Sequence, residues 1–223
     1  MKLQTNISIK QQADNLIDYH SRILLLGSCF SENIGNKLSY FKFQSKQNPF
    51  GILFHPKAIK NLISRAIKAE LNTEKELTFN NERWHCLDAH SSISAADKNV
   101  LLTNLNSALI HTKKQLKEAT HVFITLGTSW VYRYLETNAI VANCHKIPQK
   151  EFSKELLSVA EVSKTLEQCI ALLKSINKTV SVTFTVSPVR HLKDGFIENT
   201  RSKAHLIAAI HTVINSENNT YYF

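Results

Sequence analysis

The stretch Arg22-Ile23-Leu24-Leu25-Leu26-Gly27-Ser28-Cys29-Phe30-Ser31 decides how this chain folds. Arg22–Leu26 is a short continuous apolar run, the length of a buried strand and too short for a helix. Gly27-Ser28 stands where the chain must turn. Ile34, Leu38 and Phe41 recur at steps of four and three, which predicts an amphipathic helix. Ser31 is its expected cap, with Glu32 favoured in the first turn by the helix dipole. Two further runs have the same form. His121–Leu126 ends in Gly127-Thr128-Ser129-Trp130, and Thr179–Val186 ends in Ser187-Pro188-Val189-Arg190-His191. Strand carboxyl ends in an open α/β sheet converge on one crevice, so these three tips predict an active site.

Between the runs lie helical patterns. Pro56 suits a first turn, followed by Ile59, Leu62, Ile63, Ala66 and Ile67 on one face. Leu102, Leu105, Leu109 and Leu116 mark a second helix. Leu156, Val159, Leu166, Ile170 and Leu173 mark a third, and Ala204, Ile207, Ala208, His211 and Ile214 a last one. Residues 3–9 read as a short edge strand, residues 82–93 as a strand or loop, and residues 132–150 as irregular. Strands alternating with helices predict a mostly parallel, doubly wound α/β sheet in a single domain over residues 1–223. The chain stops at Thr220-Tyr221-Tyr222-Phe223, which opens like another strand. A C-terminally incomplete domain is therefore expected, its uncovered apolar surface favouring a homodimer or aggregation.

The 223 residues are 43% hydrophobic and 20% charged, an ordinary globular balance. No apolar run approaches the roughly 20 residues that span a bilayer, and the start lacks a secretory layout. These features place the protein in the cytoplasm with no membrane partner. Cys29, Cys86, Cys144 and Cys169 are widely spaced, so reduced thiols are expected, and their spacing with His145 supports no zinc site. The net charge of +9 permits a nucleic-acid partner. However, the lysines are scattered over several helices, not clustered beside aromatics, which favours solvated faces instead.

Leu26–Gly35 (LGSCFSENIG) resembles the signature of the GSCFA family, with Ser31 where the name has alanine. Asn48-Pro49-Phe50-Gly51, Phe54-His55-Pro56, residues 125–132 (TLGTSWVY), residues 143–148 (NCHKIP) and residues 185–199 (TVSPVRHLKDGFIEN) with Ser202-Lys203 extend the likeness over nearly the whole chain. That family resembles the SGNH (GDSL-like) hydrolases. The resemblance implies a flavodoxin-like three-layer sandwich with a serine nucleophile after the first strand. SGNH enzymes carry their aspartate and histidine in a D-x-x-H segment near the C-terminus. None precedes Phe223, so the last strand and helix, and with them the base, are expected to be missing.

The candidate residues follow. Ser28 is the nucleophile, near a helix N-terminus that suits an oxyanion, and otherwise a cap serine. Gly51 is a second oxyanion donor through its N–H, or a turn glycine. Thr128 sits where SGNH enzymes place G-x-N-D, and Asn143 substitutes for the absent asparagine of that segment. His145 is a candidate base; so is His191, which forms H-x-x-D with Asp194. Asn48, Trp130 and Arg190 are substrate contacts, Arg190 as a clamp for carboxylate or phosphate. Cys29 is the rival nucleophile, expected to point into the core, and His55 serves a helix start. No metal or organic cofactor is implied. The leading reading is a serine-dependent hydrolase or acyltransferase acting on a small-molecule or carbohydrate ester. The alternatives are a non-catalytic binding protein that lacks the base, and a nucleic-acid-binding module.

Overall fold

The computed structural model describes residues 15–190 and 192–223, apart from the side chain of residue 216. The edge strand expected over residues 3–9 and the candidate base His191 lie outside the described residues. In chain order the first elements are β1 (Arg22–Gly27), α1 (Cys29–Tyr40), β2 (Gln44–Gln47) and α2 (Pro56–Lys68). Next come β3 (Leu77–Asn80), β4 (Arg83–Cys86), β5 (Ser94–Ala95), α3 (Lys98–Glu118) and β6 (His121–Leu126). They are followed by β7 (Trp130–Tyr134), β8 (Ala139–Val141), β9 (Phe152–Leu156) and α4 (Val159–Ile176). The last are β10 (Ser181–Val186), α5 (Phe196–Val213) and β11 (Thr220–Tyr222).

Five strands form a parallel sheet in the order β11-β10-β6-β1-β2. Numbered among themselves along the chain, that order is 2-1-3-4-5, the flavodoxin-like arrangement. The register aligns Leu24 with Val122 and Val122 with Val182, so alternate residues share one face across three strands. Leu24, Leu26, Val122, Ile124, Val182 and Phe184 pack with Ile59 and Ile63 of α2, Leu105 of α3, Leu166 of α4 and Ile210 of α5. The opposite face carries α1, whose Phe30, Ile34 and Leu38 lie beside Leu25. Next to α1 an open groove of about 720 Å³ is lined by Phe123, Thr125, Thr183 and Thr185. Helices on both faces make the three layers expected from the resemblance.

The helix starts follow local chemistry. Pro56 opens α2, and His55 caps it by accepting from Ala58 N–H at 3.1 Å. Ser158 and Glu161 close a capping box on α4. The sequence reading differs from the structure in the small sheets. Residues 130–156 hold the antiparallel sheet β8-β7-β9, where an irregular stretch was expected, and Leu156 ends β9 instead of opening a helix. Trp130, Tyr132 and Tyr134 alternate along β7 and pair with Leu156, Lys154 and Phe152. That two-residue period was masked by the turns between the strands. Residues 82–93 supply β4 and then a loop, paired in the order β3-β4-β5.

Gly27 has φ +129°, and a Cβ there would fall 2.0 Å from the Thr125 carbonyl oxygen on β6. A side chain would force β1 and β6 apart in a conformation that L-residues rarely adopt. Gly27→Ala is expected to destabilise the fold by about 2–3 kcal/mol, read as a lower midpoint in urea unfolding with an unchanged slope.

Candidate active site

At the carboxyl edge of the sheet three strand-end turns are tied together. The Ser28 N–H donates to Thr125 O at 3.0 Å, so β1 stays paired to β6 up to the candidate nucleophile. Leu53 N–H donates to Gly27 O at 3.0 Å, while Phe54 O accepts from Gly127 N–H at 2.7 Å. The chain after β2 thus bridges the tips of β1 and β6. Lys203 of α5 joins the third tip: its Nζ donates to Gly127 O at 2.9 Å and to Ser187 O at 2.6 Å. Burial pushes that ammonium down to about 8, against the pull of the neighbouring Cys29 thiol.

Ser28 directly follows β1 and caps α1, with its Oγ accepting from Phe30 N–H at 3.3 Å. Ser31, expected as the cap, lies inside the first turn, and its hydroxyl donates to Leu26 O. The helix starts earlier than the apolar spacing suggests because Ser28 already has extended backbone angles and an oxygen to offer. Ser28 is 0% exposed, but its surroundings are polar: Thr125 O, the Phe30 amide and the Asn48 carboxamide on Gly27. Cys29 is half-buried beside Lys203, not in the core as expected.

Of the expected oxyanion donors, the Gly51 and Thr128 N–H groups are occupied, and the Asn143 carboxamide is engaged through its oxygen. Gly51 N–H donates to Asn48 O at 2.8 Å inside a turn, with φ +69° and the His90 side chain packed where a Cβ would stand. Thr128 N–H donates to Phe54 O, and its hydroxyl meets Ser202 Oγ at 3.0 Å and Trp130 N–H. Asn143 Oδ1 accepts the His145 N–H at 2.9 Å. His145 is tied to β4: its Nε2 donates to Cys86 O at 2.8 Å and its ring lies 4.6 Å from His85. Burial pushes His145 down to about 4, so the imidazole is neutral.

The substrate contacts divide. Arg190 is exposed and stacks over Phe196, with its guanidinium carbon 5.7 Å from the ring centre. Trp130 donates from its indole to Glu198 O, and Lys154 lies 4.7 Å over its ring. Asp194, expected to orient His191, pairs with Lys154 at 2.5 Å, while His191 itself lies outside the described residues. Asn48 stands at the centre: its Oδ1 accepts Gly27 N–H at 2.8 Å, while its Nδ2 is buried with no partner among the described residues. Lys203 and His90 were missed as individual site residues. Lys203 looks like one more helix lysine, and His90 lies in a segment with no clear period. Among the described residues no three His, Cys, Asp or Glu side chains gather as metal ligands, and no helix is long and apolar enough to cross a membrane.

A strand, a turn serine and a helix N-terminus at the β1/β6 seam fit the residues that carry the sequence signature. A model of the GSCFA family matches residues 22–223. The chain belongs to the GSCFA family. No curated protein and no solved structure matches it.

Two measurements probe this construction. Lys203→Met leaves the Gly127 and Ser187 carbonyls without their charged donor and is expected to cost about 2–3 kcal/mol in denaturant unfolding. His55 and His145 both lie near 4 in the fold, against 6.5 ordinarily, because burial disfavours the imidazolium. The unfolded chain therefore binds more protons between those values. Stability is full above pH 6.5 and falls as the pH drops toward 4. His145→Gln, which keeps a donor for Cys86 O, should flatten that slope in a pH series of melting temperatures.

Proposed function

We propose that this GSCFA protein is a serine-dependent hydrolase or acyltransferase of the SGNH type, with an ester or other acyl compound as substrate. The observation that supports this best is the place of Ser28. It directly follows β1 beside β6, at the topological switch point of a 2-1-3-4-5 sheet, and caps α1. That is where ligands sit in doubly wound sheets. The helix N-terminus there favours negative charge on a bound oxygen.

In this reading the Ser28 oxygen bonds to the acyl carbon and its proton passes to a base. The carbonyl becomes a tetrahedral oxyanion, then collapses as the leaving alcohol departs with that proton. Water or a second alcohol afterwards takes the acyl group from Ser28, giving hydrolysis or transfer. His145 is held by Cys86 O, so His191 is the candidate base to test by substitution. Because Ser28 has no exposed surface, substrate entry requires this edge to open. A lid-like step of that kind excludes water from the reacting centre.

A second reading is a non-catalytic binding protein that keeps the crevice. It is favoured by one observation: among the described residues no histidine nitrogen hydrogen-bonds the Ser28 hydroxyl. A fluorophosphonate probe with peptide mapping decides between them. The hydrolase reading expects an adduct on Ser28, absent in Ser28→Ala and slowed at least about 100-fold in His191→Gln if that histidine is the base. A folded protein that takes no label leaves the binding reading.

A further inference from the structure

Asn48 is fixed by every polar group it owns except one. Its N–H donates to Leu25 O at 2.9 Å, its carbonyl accepts Gly51 N–H at 2.8 Å, and its Oδ1 accepts Gly27 N–H at 2.8 Å. The residue is only 9% exposed, and among the described residues its Nδ2 has no hydrogen-bond partner. The amide cannot be flipped to relieve this, because Gly27 N–H can only donate and needs the oxygen facing it.

A buried amide donor left unpaired costs about 1–3 kcal/mol, so its retention calls for an acceptor that arrives from outside. Amide geometry sets Nδ2 about 2.2 Å from Oδ1, so it lies within about 5 Å of the Gly27 nitrogen, one residue before Ser28. The same turn opens α1, whose first amide, Cys29 N–H, lacks an intrahelical acceptor by its position. Competing donors at this edge are already used: Ser28 N–H on Thr125 O, Gly51 N–H on Asn48 O, and Thr128 N–H on Phe54 O.

We propose that the Asn48 side-chain amide and the Cys29 backbone N–H together hold the carbonyl oxygen of the acyl substrate and strengthen their grip as it becomes an oxyanion. This rests on the acyl-transfer reading and gives it its electrostatic half. The ligand class is any carbonyl whose oxygen accepts two hydrogen bonds while its carbon faces Ser28 Oγ. Asn48 acts as a catalytic residue, in contact with the reacting oxygen. The unusual φ of +41° at Asn48 is the backbone cost of turning its carboxamide under Gly27.

Asn48→Asp keeps an oxygen for Gly27 N–H and removes the donor. In the fluorophosphonate reaction, whose phosphoryl oxygen occupies the oxyanion position, it is expected to slow labelling of Ser28 by about 100–1000-fold. Equal rates for Asn48→Asp and wild type overturn the Asn48 role and leave the Ser28 reading standing. Failure of the wild type to label overturns both. If Asn48→Asp does not fold, the side-chain amide signal of Asn48 in labelled wild type serves instead. A downfield shift of one amide proton on labelling supports the contact, and an unmoved signal overturns it.

Discussion

The approach of β1 to β6 at Gly27 is the constraint on which the candidate site depends. With no side chain between them, Gly27 lies against the Thr125 carbonyl, and Ser28 N–H donates to that same oxygen. The ladder therefore runs to the last residue of β1, and the chain must leave it in one step to start α1. A larger residue would splay the strands and let the Ser28 hydroxyl drift from the helix axis. Packing and chemistry thus share one steric requirement. It explains why a single glycine sits between an unbroken apolar run and a polar turn.

The frame was legible because its signals are local. Three apolar strands, β1, β6 and β10, separated by amphipathic helices left little choice of fold class, and each lies on its run, whereas β2 is wholly polar and gave no such signal. Pro56 and His55 marked a helix start that the structure shows. The sheet β8-β7-β9 was not legible, because its strands alternate aromatic with polar residues across two irregular turns. The site was half legible. Ser28 announces itself by position, whereas the pairings of Asn48 and Lys203 arise only when loops distant in sequence meet. Nothing local to Asn48 shows that its oxygen will be claimed by Gly27, 21 residues earlier.

The carboxyl edge is unusually closed in its hydrogen bonding. Thr125 and Thr185 hydroxyls meet at 2.8 Å, Ser129 and Ser202 share a buried network, and Lys203 holds two strand-end carbonyls. A network satisfied this fully is rigid, since each broken bond would leave a buried group unpaired. Rigidity suits electrostatic stabilisation, which works by dipoles that need not reorganise when charge develops. A buried side-chain donor that has no partner among the described residues, Asn48 Nδ2, is then more informative in the midst of such closure than any paired one.

The sign of the charge around Ser28 follows from the same parts. The N-terminus of α1 carries the positive end of a helix dipole, Lys203 adds an ammonium to the same edge, and Asn48 presents an N–H. The Gly127 and Ser187 carbonyls at this edge are taken by Lys203. A field of that sign stabilises negative charge growing on a carbonyl oxygen and opposes a cationic group in the same place.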